Sequence, residues 1–378
     1  IFSAFPFFEG KLLNINDLEY GIETMNRLES NNAMMRIAPG ESEGTSEVVI
    51  DNERGWPLHV EAGFDNLGQK GTGECRRKMT AVADDIAGFN DYSIFSCTES
   101  MGINRNRAFS RTRSLCFSVP LGFWSFSASG NMSEYRQFFS GMNRRYEMEG
   151  REIASLVMLE RLVWKRGISR IRTGLSLNLK KKESYIEDQK IDTQSGRLSL
   201  VRAQADYSGY LCGGFLTAGA DYRRGMKILG AGRESSDLPG DMPSACFNIC
   251  GADLGWNRFF SLFGRNIGYF LYLSGQYSGE TLHSSEKMTL GDLHTVRGFR
   301  EFSASGDMGC FMRNEISIHD LSRMWTFLSG TRFFVGFDWG RVRESAGREA
   351  NGGRGEAALA GISAGIGMGG DVFNLNIT

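Results

Sequence analysis

Apolar and polar side chains alternate with a period of two along run after run of this chain, whereas no stretch of 18 or more apolar residues exists. Trp56, Leu58, Val60, Ala62 and Phe64 alternate with Pro57, His59, Glu61, Gly63 and Asp65. The pattern returns at 171–179, 199–207, 269–277 and 333–342. Such alternation makes half-buried strands, and no helical pattern longer than about two turns competes with it beyond residue 55. Turn-forming residues separate the runs at 71–73, Gly130-Asn131, 237–243 and 351–355. The most apolar segment, 259–273, is broken by Arg265 and Asn266, which argues against a membrane-spanning helix. A transmembrane strand needs only about 9–11 residues and hides half of them from lipid, so membrane insertion by strands stays open.

Residues 1–55 read differently. Leu18, Ile22, Met25 and Leu28 stand at helical spacing, with Asn16 placed to cap the helix and Glu19 as its capping-box partner. Two short strands are expected at 33–37 and 47–51, which makes this start part of a small α+β module. No basic region followed by an apolar core opens the chain, so it is read either as cytosolic or as beginning after a removed signal.

Charge removes one class of partner. With 43 basic and 44 acidic side chains the net charge is -1, so no general electrostatic pull toward nucleic acid exists. Aromatic residues at 12 % exclude a disordered chain, and the 48 glycines follow no collagen period. Polar faces carry Arg, Gln, Asn and Asp while several opposite faces are aromatic, and mean hydropathy is -0.28. That combination favours a transmembrane barrel over a soluble β-protein, because only the barrel turns its apolar face outward. The residues beyond 55 supply roughly 16 strands at about 20 residues per strand and half-loop.

Chemistry-bearing motifs are sparse. The four histidines, His59, His283, His294 and His319, stand in no metal or catalytic spacing, and no GxSxG, HExxH, P-loop or GxGxxG motif is present. No enzyme activity, metal or cofactor is expected. The seven cysteines cannot all pair within the chain. Cys246 and Cys250 in a strand lie roughly 13 Å apart, too far to bridge, and the cysteines are read as small buried apolar side chains. Lys180-Lys181-Lys182 reads as a solvated hairpin tip, which could also meet anionic lipid.

Two segments stand out. Residues 290–299 (LGDLHTVRGF) precede Gly306-Asp307-Met308-Gly309 and a strand at 310–318, in which Arg313 and Glu315 oppose Met312, Asn314, Ile316 and Ile318. In 333–342 (FFVGFDWGRV), Phe333, Val335, Phe337 and Trp339 share one face, so Asp338 points the other way. Arg297, on a glycine-containing loop, could fold inward to make a bidentate pair with Asp338. A surface arginine in a turn and a solvated aspartate is the competing reading.

VRGF after GD, then GDxG and a strand beginning FMRNE, closely resembles the signature loop of two-partner secretion transporters, the TpsB family of haemolysin-activator and filamentous-haemagglutinin exporters. FDWGRV resembles the DxG strand motif shared with the wider outer-membrane assembly superfamily. Residues 13–31 and 36–40 look like the second half of that family's second POTRA domain, and 118–124 (SVPLGFW) like an early strand.

The resemblance implies a mainly β fold: a 16-stranded antiparallel transmembrane β-barrel at 56–378 preceded by a partial periplasmic POTRA domain at 1–55. Its sixth extracellular loop would fold into the lumen on Val296, Arg297, Gly298 and Phe299. Arg297 would pair with Asp338 of the strand carrying Gly340, and Arg313 and Glu315 would face the lumen. The implied function is export of a large partner exoprotein (haemolysin, adhesin or growth-inhibition toxin, the TpsA partner) across the outer membrane, captured through its amino-terminal secretion domain. Outer-membrane lipid and the barrel assembly machinery are the other implied partners, with the protein a monomer. A barrel assembly factor of the same superfamily is the alternative. By the same resemblance the family's plug helix and first POTRA domain would lie outside this chain, and so would its closing strand, since the alternation of Phe373, Leu375 and Ile377 ends inside a strand.

Overall fold

Asn14 is extended (φ -117°, ψ 116°), its side chain accepts from the Asn16 N–H, and its carbonyl accepts from Asp17 and Leu18 at 3.1 Å. It therefore caps helix α1 (Ile15–Met25). The expected cap, Asn16, lies inside the helix instead, because Asn14 already supplies both acceptors. Leu18 and Met25 are buried against Ala4, Phe5 and Ala33, with Ile22, Met35, Val48 and Ile50 around them. Gly21 lies under the Phe5 ring; a Cβ there would sit 2.1 Å from it. Strands β1 (Asn31–Pro39) and β2 (Ser46–Arg54) pair antiparallel from Asn31↔Arg54 to Pro39↔Ser46. The structure is a computed structural model. It describes residues 3–6, 10, 12–101, 108–141, 144–232, 243–299, 302–319, 331–345, 355–369 and 374–377. The turns expected at 237–243 and 351–355 fall almost wholly outside the described residues, as does Phe373.

A large antiparallel sheet of about 15 strands follows, and strand makes up 69 % of the described residues. Two compact units divide it: 1–167 with 172–201 and 227–234, and 168–171 with 202–226 and 235–378. In the first, β3 (Leu58–Asp65), β4 (Cys75–Asp84), β5 (Tyr92–Met101), β6 (Phe109–Leu121), β7 (Trp124–Ser140), β8 (Arg145–Arg166) and, from Arg172 onward, β9 (Ser169–Ile186) pair in chain order. The two-residue β10 (Gln189–Lys190) adds to β9. Turns at Gly122 (φ 59°) and Gly167 (φ 57°) are tight, as left-handed glycine permits. Segment 118–124 is thus a strand end, a turn and a strand start rather than one strand. Gly130-Asn131, expected as a turn, lies inside β7, paired with Leu115, Ser155 and their neighbours. Lys180–Lys182 lie inside β9 rather than at a hairpin tip, and Lys181 pairs with Glu183 at 2.8 Å.

The helical module is bolted to the sheet of its own unit. Asp84 Oδ2 accepts from the buried Ser30 N–H at 3.0 Å, and Arg54 pairs with Asp85 at 2.8 Å. Arg27 donates to the Asn90 carbonyl at 2.8 Å and lies 5.0 Å over the Tyr92 ring, while Asn90 Nδ2 donates to the Thr24 carbonyl at 2.6 Å. Lys165 reaches Glu23 at 2.9 Å, and Gly122 N–H donates to Ser3 at 2.7 Å.

The second unit contains β11 (Gly196–Leu211) from Arg202 onward, then β12 (Gly214–Gly225), β13 (Asn248–Leu262) and β14 (Arg265–Tyr277). β15 (Met288–Leu290) pairs with β16 (Ala304–Gly306), and the sheet resumes with β17 (Met308–His319), β18 (Thr331–Arg343), β19 (Glu356–Gly369) and β20 (Asn374–Ile377). Alternation sorts their faces: Val335, Phe337 and Trp339 are exposed, whereas Phe334, Gly336, Asp338, Gly340 and Val342 are buried. None of the cysteines is buried, contrary to expectation; all seven are unpaired and part- or fully exposed on strands and turns. Cys75, Cys97, Cys250 and Cys310 lie on the strand faces that carry exposed apolar side chains, where a small side chain is tolerated without a core.

Candidate functional site

The connection from β14 to β17, residues 278–307, lies on the covered face of β17–β19. Its hairpin β15–β16 buries Leu290 and Ala304 against Val296, Phe311, Val342 and Leu359. Asp307, almost wholly buried, ties its base: its two carboxylate oxygens accept from the Leu282 N–H at 2.9 Å and the Ser345 N–H at 2.8 Å. At the tip, Asp292 Oδ1 accepts from His294 N–H and Thr295 N–H, each at 2.7 Å, closing a turn that starts at Gly291 (φ 99°). Gly298 follows with φ 98°. Between them Val296 enters the apolar cluster and Arg297 turns onto the sheet.

Arg297 and Asp338 meet in a bidentate pair. Nε donates to Asp338 Oδ2 at 2.6 Å and Nη2 to Oδ1 at 2.9 Å, while the Arg297 backbone N–H adds 3.1 Å to Oδ2. The remaining Nη1 donates to Glu315 Oε2 at 2.9 Å. Glu315 also pairs with Arg332, so four charges alternate in sign and sum to zero. Asp338 is completely buried and Arg297 is 4 % exposed. A cation and anion so far from water hold each other only when their polar atoms find partners, and here every side-chain nitrogen of Arg297 and both carboxylate oxygens of Asp338 and Glu315 do. The Arg297 and Arg332 guanidinium carbons lie 5.8 and 5.0 Å over the Phe334 ring. Arg313 shares the face but not the cluster; it donates to the His294 carbonyl at 3.2 Å.

Small residues make the room. A Cβ on Gly336 would sit 2.3 Å from Arg297 Nη2, and one on Gly361 2.0 Å from the Arg297 carbonyl oxygen. Gly340 admits Leu290, whose methyls would lie 3.0 Å from its Cβ. Phe299 packs at the edge of the apolar cluster. The sequence motifs identified Arg297 and Asp338 but not Arg332, Gly336, Gly361 or Asp307 as parts of the site. One signal was available: Gly336, Asp338 and Gly340 occupy alternate positions of one strand face. Glu315 is predicted only to share that face, because its bond to Arg297 depends on where the β14–β17 connection lands on the sheet. This arrangement carries no nucleophile–base pair; chemically it is a clamp, able to hold or release a loop.

Comparison with known proteins gives the clamp a context. The family described as "Haemolysin secretion/activation protein ShlB/FhaC/HecB" matches residues 44–368, and a POTRA domain matches 1–39. Outer membrane transporter CdiB of Dickeya dadantii is 33 % identical over 315 residues, covering 83 % of this chain and 56 % of that protein. Hemolysin transporter protein ShlB of Serratia marcescens is 28 % identical over 314 residues, with the same coverage of both chains. The solved CdiB from Escherichia coli superposes with a TM-score of 0.85 at 24 % identity, covering 97 % of this chain and 66 % of that one. The chain thus spans a little over half the length of these curated relatives. With the family pattern running through most of the sheet, the chain belongs to the ShlB/FhaC/HecB haemolysin secretion/activation family, the TpsB transporters of two-partner secretion.

Proposed function

We propose that this chain is part of an outer-membrane transporter that recognises and exports a large partner exoprotein by two-partner (type Vb) secretion. In this reading residues 1–55 are periplasmic and 56–378 belong to a transmembrane barrel, with the β14–β17 connection folded into its lumen. The helix–hairpin module ending at Arg54 and the sheet beginning at Leu58 support that division, although the family match starts earlier, at 44. The partner's amino-terminal secretion domain is captured at the module and threads the lumen as an extended chain. Folding of the exported chain outside supplies direction. The exposed apolar side chains of Val60, Leu115, Val157, Val335 and Phe337 suit lipid. Insertion by the barrel assembly machinery and action as a monomer complete the reading.

The carrying observation is the buried Arg297–Asp338–Glu315 clamp, which fixes the loop in one conformation at the wall. Membership in a secretion family favours this reading over a barrel assembly factor. Export of the cognate exoprotein into the medium tests it in cells carrying the full-length gene. Deleting the gene is expected to abolish export; Arg297→Ala is expected to cut it sharply while protein in the outer membrane holds. Export unchanged by the deletion would sink the transporter reading. Normal export by Arg297→Ala would remove the clamp from the mechanism.

A further inference from the structure

The exposed face of β4–β8 changes chemistry at a single register row. Arg77, Glu99, Arg111, Glu134 and Arg151 are successive cross-strand partners. Arg77 Nε donates to Glu99 Oε2 at 3.0 Å and Arg111 Nε to Glu99 Oε1 at 3.2 Å, while Arg151 lies 3.5 Å from Glu134. Both carboxylates of the row are thereby engaged, and three guanidinium groups face two of them. One row farther out, Arg136 takes Glu147 and Glu149. One row nearer the tight turns, Met79, Cys97, Arg113, Met132 and Ile153 are partners, and this row holds no carboxylate. Arg113 is exposed and, among the described residues, makes no hydrogen bond or ion pair.

The helical module docks at the turns around Asn90 and Gly122, so this charged row belongs to the opposite end of the same strands. On the reading proposed above, which this inference rests on, that end is the outer leaflet. A lipid-facing arginine costs about 2–4 kcal/mol at the bilayer midplane and nearly nothing at its edge. Its three-methylene stem lets the charge of Arg113 climb one row. The carboxylates it meets there are already taken. Arg161, at the other end of the same face, shows a different solution: its guanidinium stacks 5.1 Å over Trp124. Arg113 has no such ring contact among the described residues, which leaves the membrane as the source of its counter-ion. A planar guanidinium matches a phosphate bidentately.

We propose that Arg113, with Arg77 and Arg111 in the row above, binds the phosphate of a phosphorylated glycolipid in the outer leaflet. The complete protein, purified in neutral detergent, is offered bis-phosphorylated lipid A, its dephosphorylated form, or inorganic phosphate, and retention is read by native mass spectrometry. Retention of bis-phosphorylated lipid A is expected to fall about tenfold in Arg113→Leu, the worth of one charge-assisted contact. It is expected to hold in Arg161→Leu. Equal retention by Arg113→Leu, equal retention of the dephosphorylated lipid, or displacement by equimolar inorganic phosphate would each overturn the site. Arg113→Gln carries the same comparison if the leucine variant does not assemble. Wild-type protein absent from the outer-membrane fraction would instead defeat the membrane reading itself.

Discussion

At the scale of single residues, the clamp depends as much on missing atoms as on charges. Gly361 has room for the Arg297 carbonyl only because it lacks a Cβ. Gly361→Ala is therefore expected to lift the loop off β19 and break the Arg297–Asp338 pair without touching either charge. Overpacking of this kind costs about 1–3 kcal/mol. Amide exchange across 291–298 should accelerate by the corresponding factor, with the strands unchanged; protection equal to wild type would show that the backbone yields instead. Asp338→Asn removes half of a buried pair and leaves Arg297 with Glu315 alone, at a cost of about 3–5 kcal/mol. The same exchange measurement should place it beyond the glycine variant, and the reverse order would contradict the clamp energetics.

At the scale of elements, the strand periodicity was legible and its exceptions are instructive. The runs at 171–179 and 333–342 extend to β9 and β18 with the expected faces. Gly130-Asn131 carries turn chemistry, yet the alternation runs through it in phase. Ser127, Ser129, Asn131 and Ser133 lie on one side and Phe126, Ala128, Gly130 and Met132 on the other. Phase outweighed the dipeptide, because two neighbouring strands supply hydrogen-bond partners at every step. What no local pattern reveals is where a loop or the helical module lands on the sheet, which puts Glu315 beside Arg297 and Asp84 beside Ser30. One element has a pH response. Burial pushes the His283 pKa below its ordinary value, while Glu286 and the backbone near Ser244 pull the other way. With the closed-loop pKa depressed, the opened segment binds the proton more readily as pH falls below about 6.5. Segment 278–290 should therefore lose exchange protection between pH 7.5 and 5, and His283→Gln should remove that slope. A slope surviving the substitution would assign it to another group.

On the scale of the whole molecule, a resemblance centred on two short motifs, with 13–31, 36–40 and 118–124 beside them, is matched through most of the chain. The match covers 44–368, well beyond 290–299 and 333–342. The docking of the helical module was invisible beforehand, since it depends on turns around Asp84–Asp91 meeting residues 31 to 66 positions earlier. Asp84→Ala is expected to leave the buried Ser30 N–H unpaired, costing about 1–3 kcal/mol. Exchange or spin-label distances should then show the module loosened while the strands keep their protection; an unchanged module would mean that Arg27, Arg54 and Lys165 suffice to hold it. These bonds also bear on kinetics. A binding domain on a free tether offers its cargo to the neighbouring sheet at a concentration diluted by every position the tether allows. A module pinned at several turns does not search: on the proposed function, a peptide captured there would stand at one distance from the strands, and its next encounter would be set by geometry rather than by diffusion.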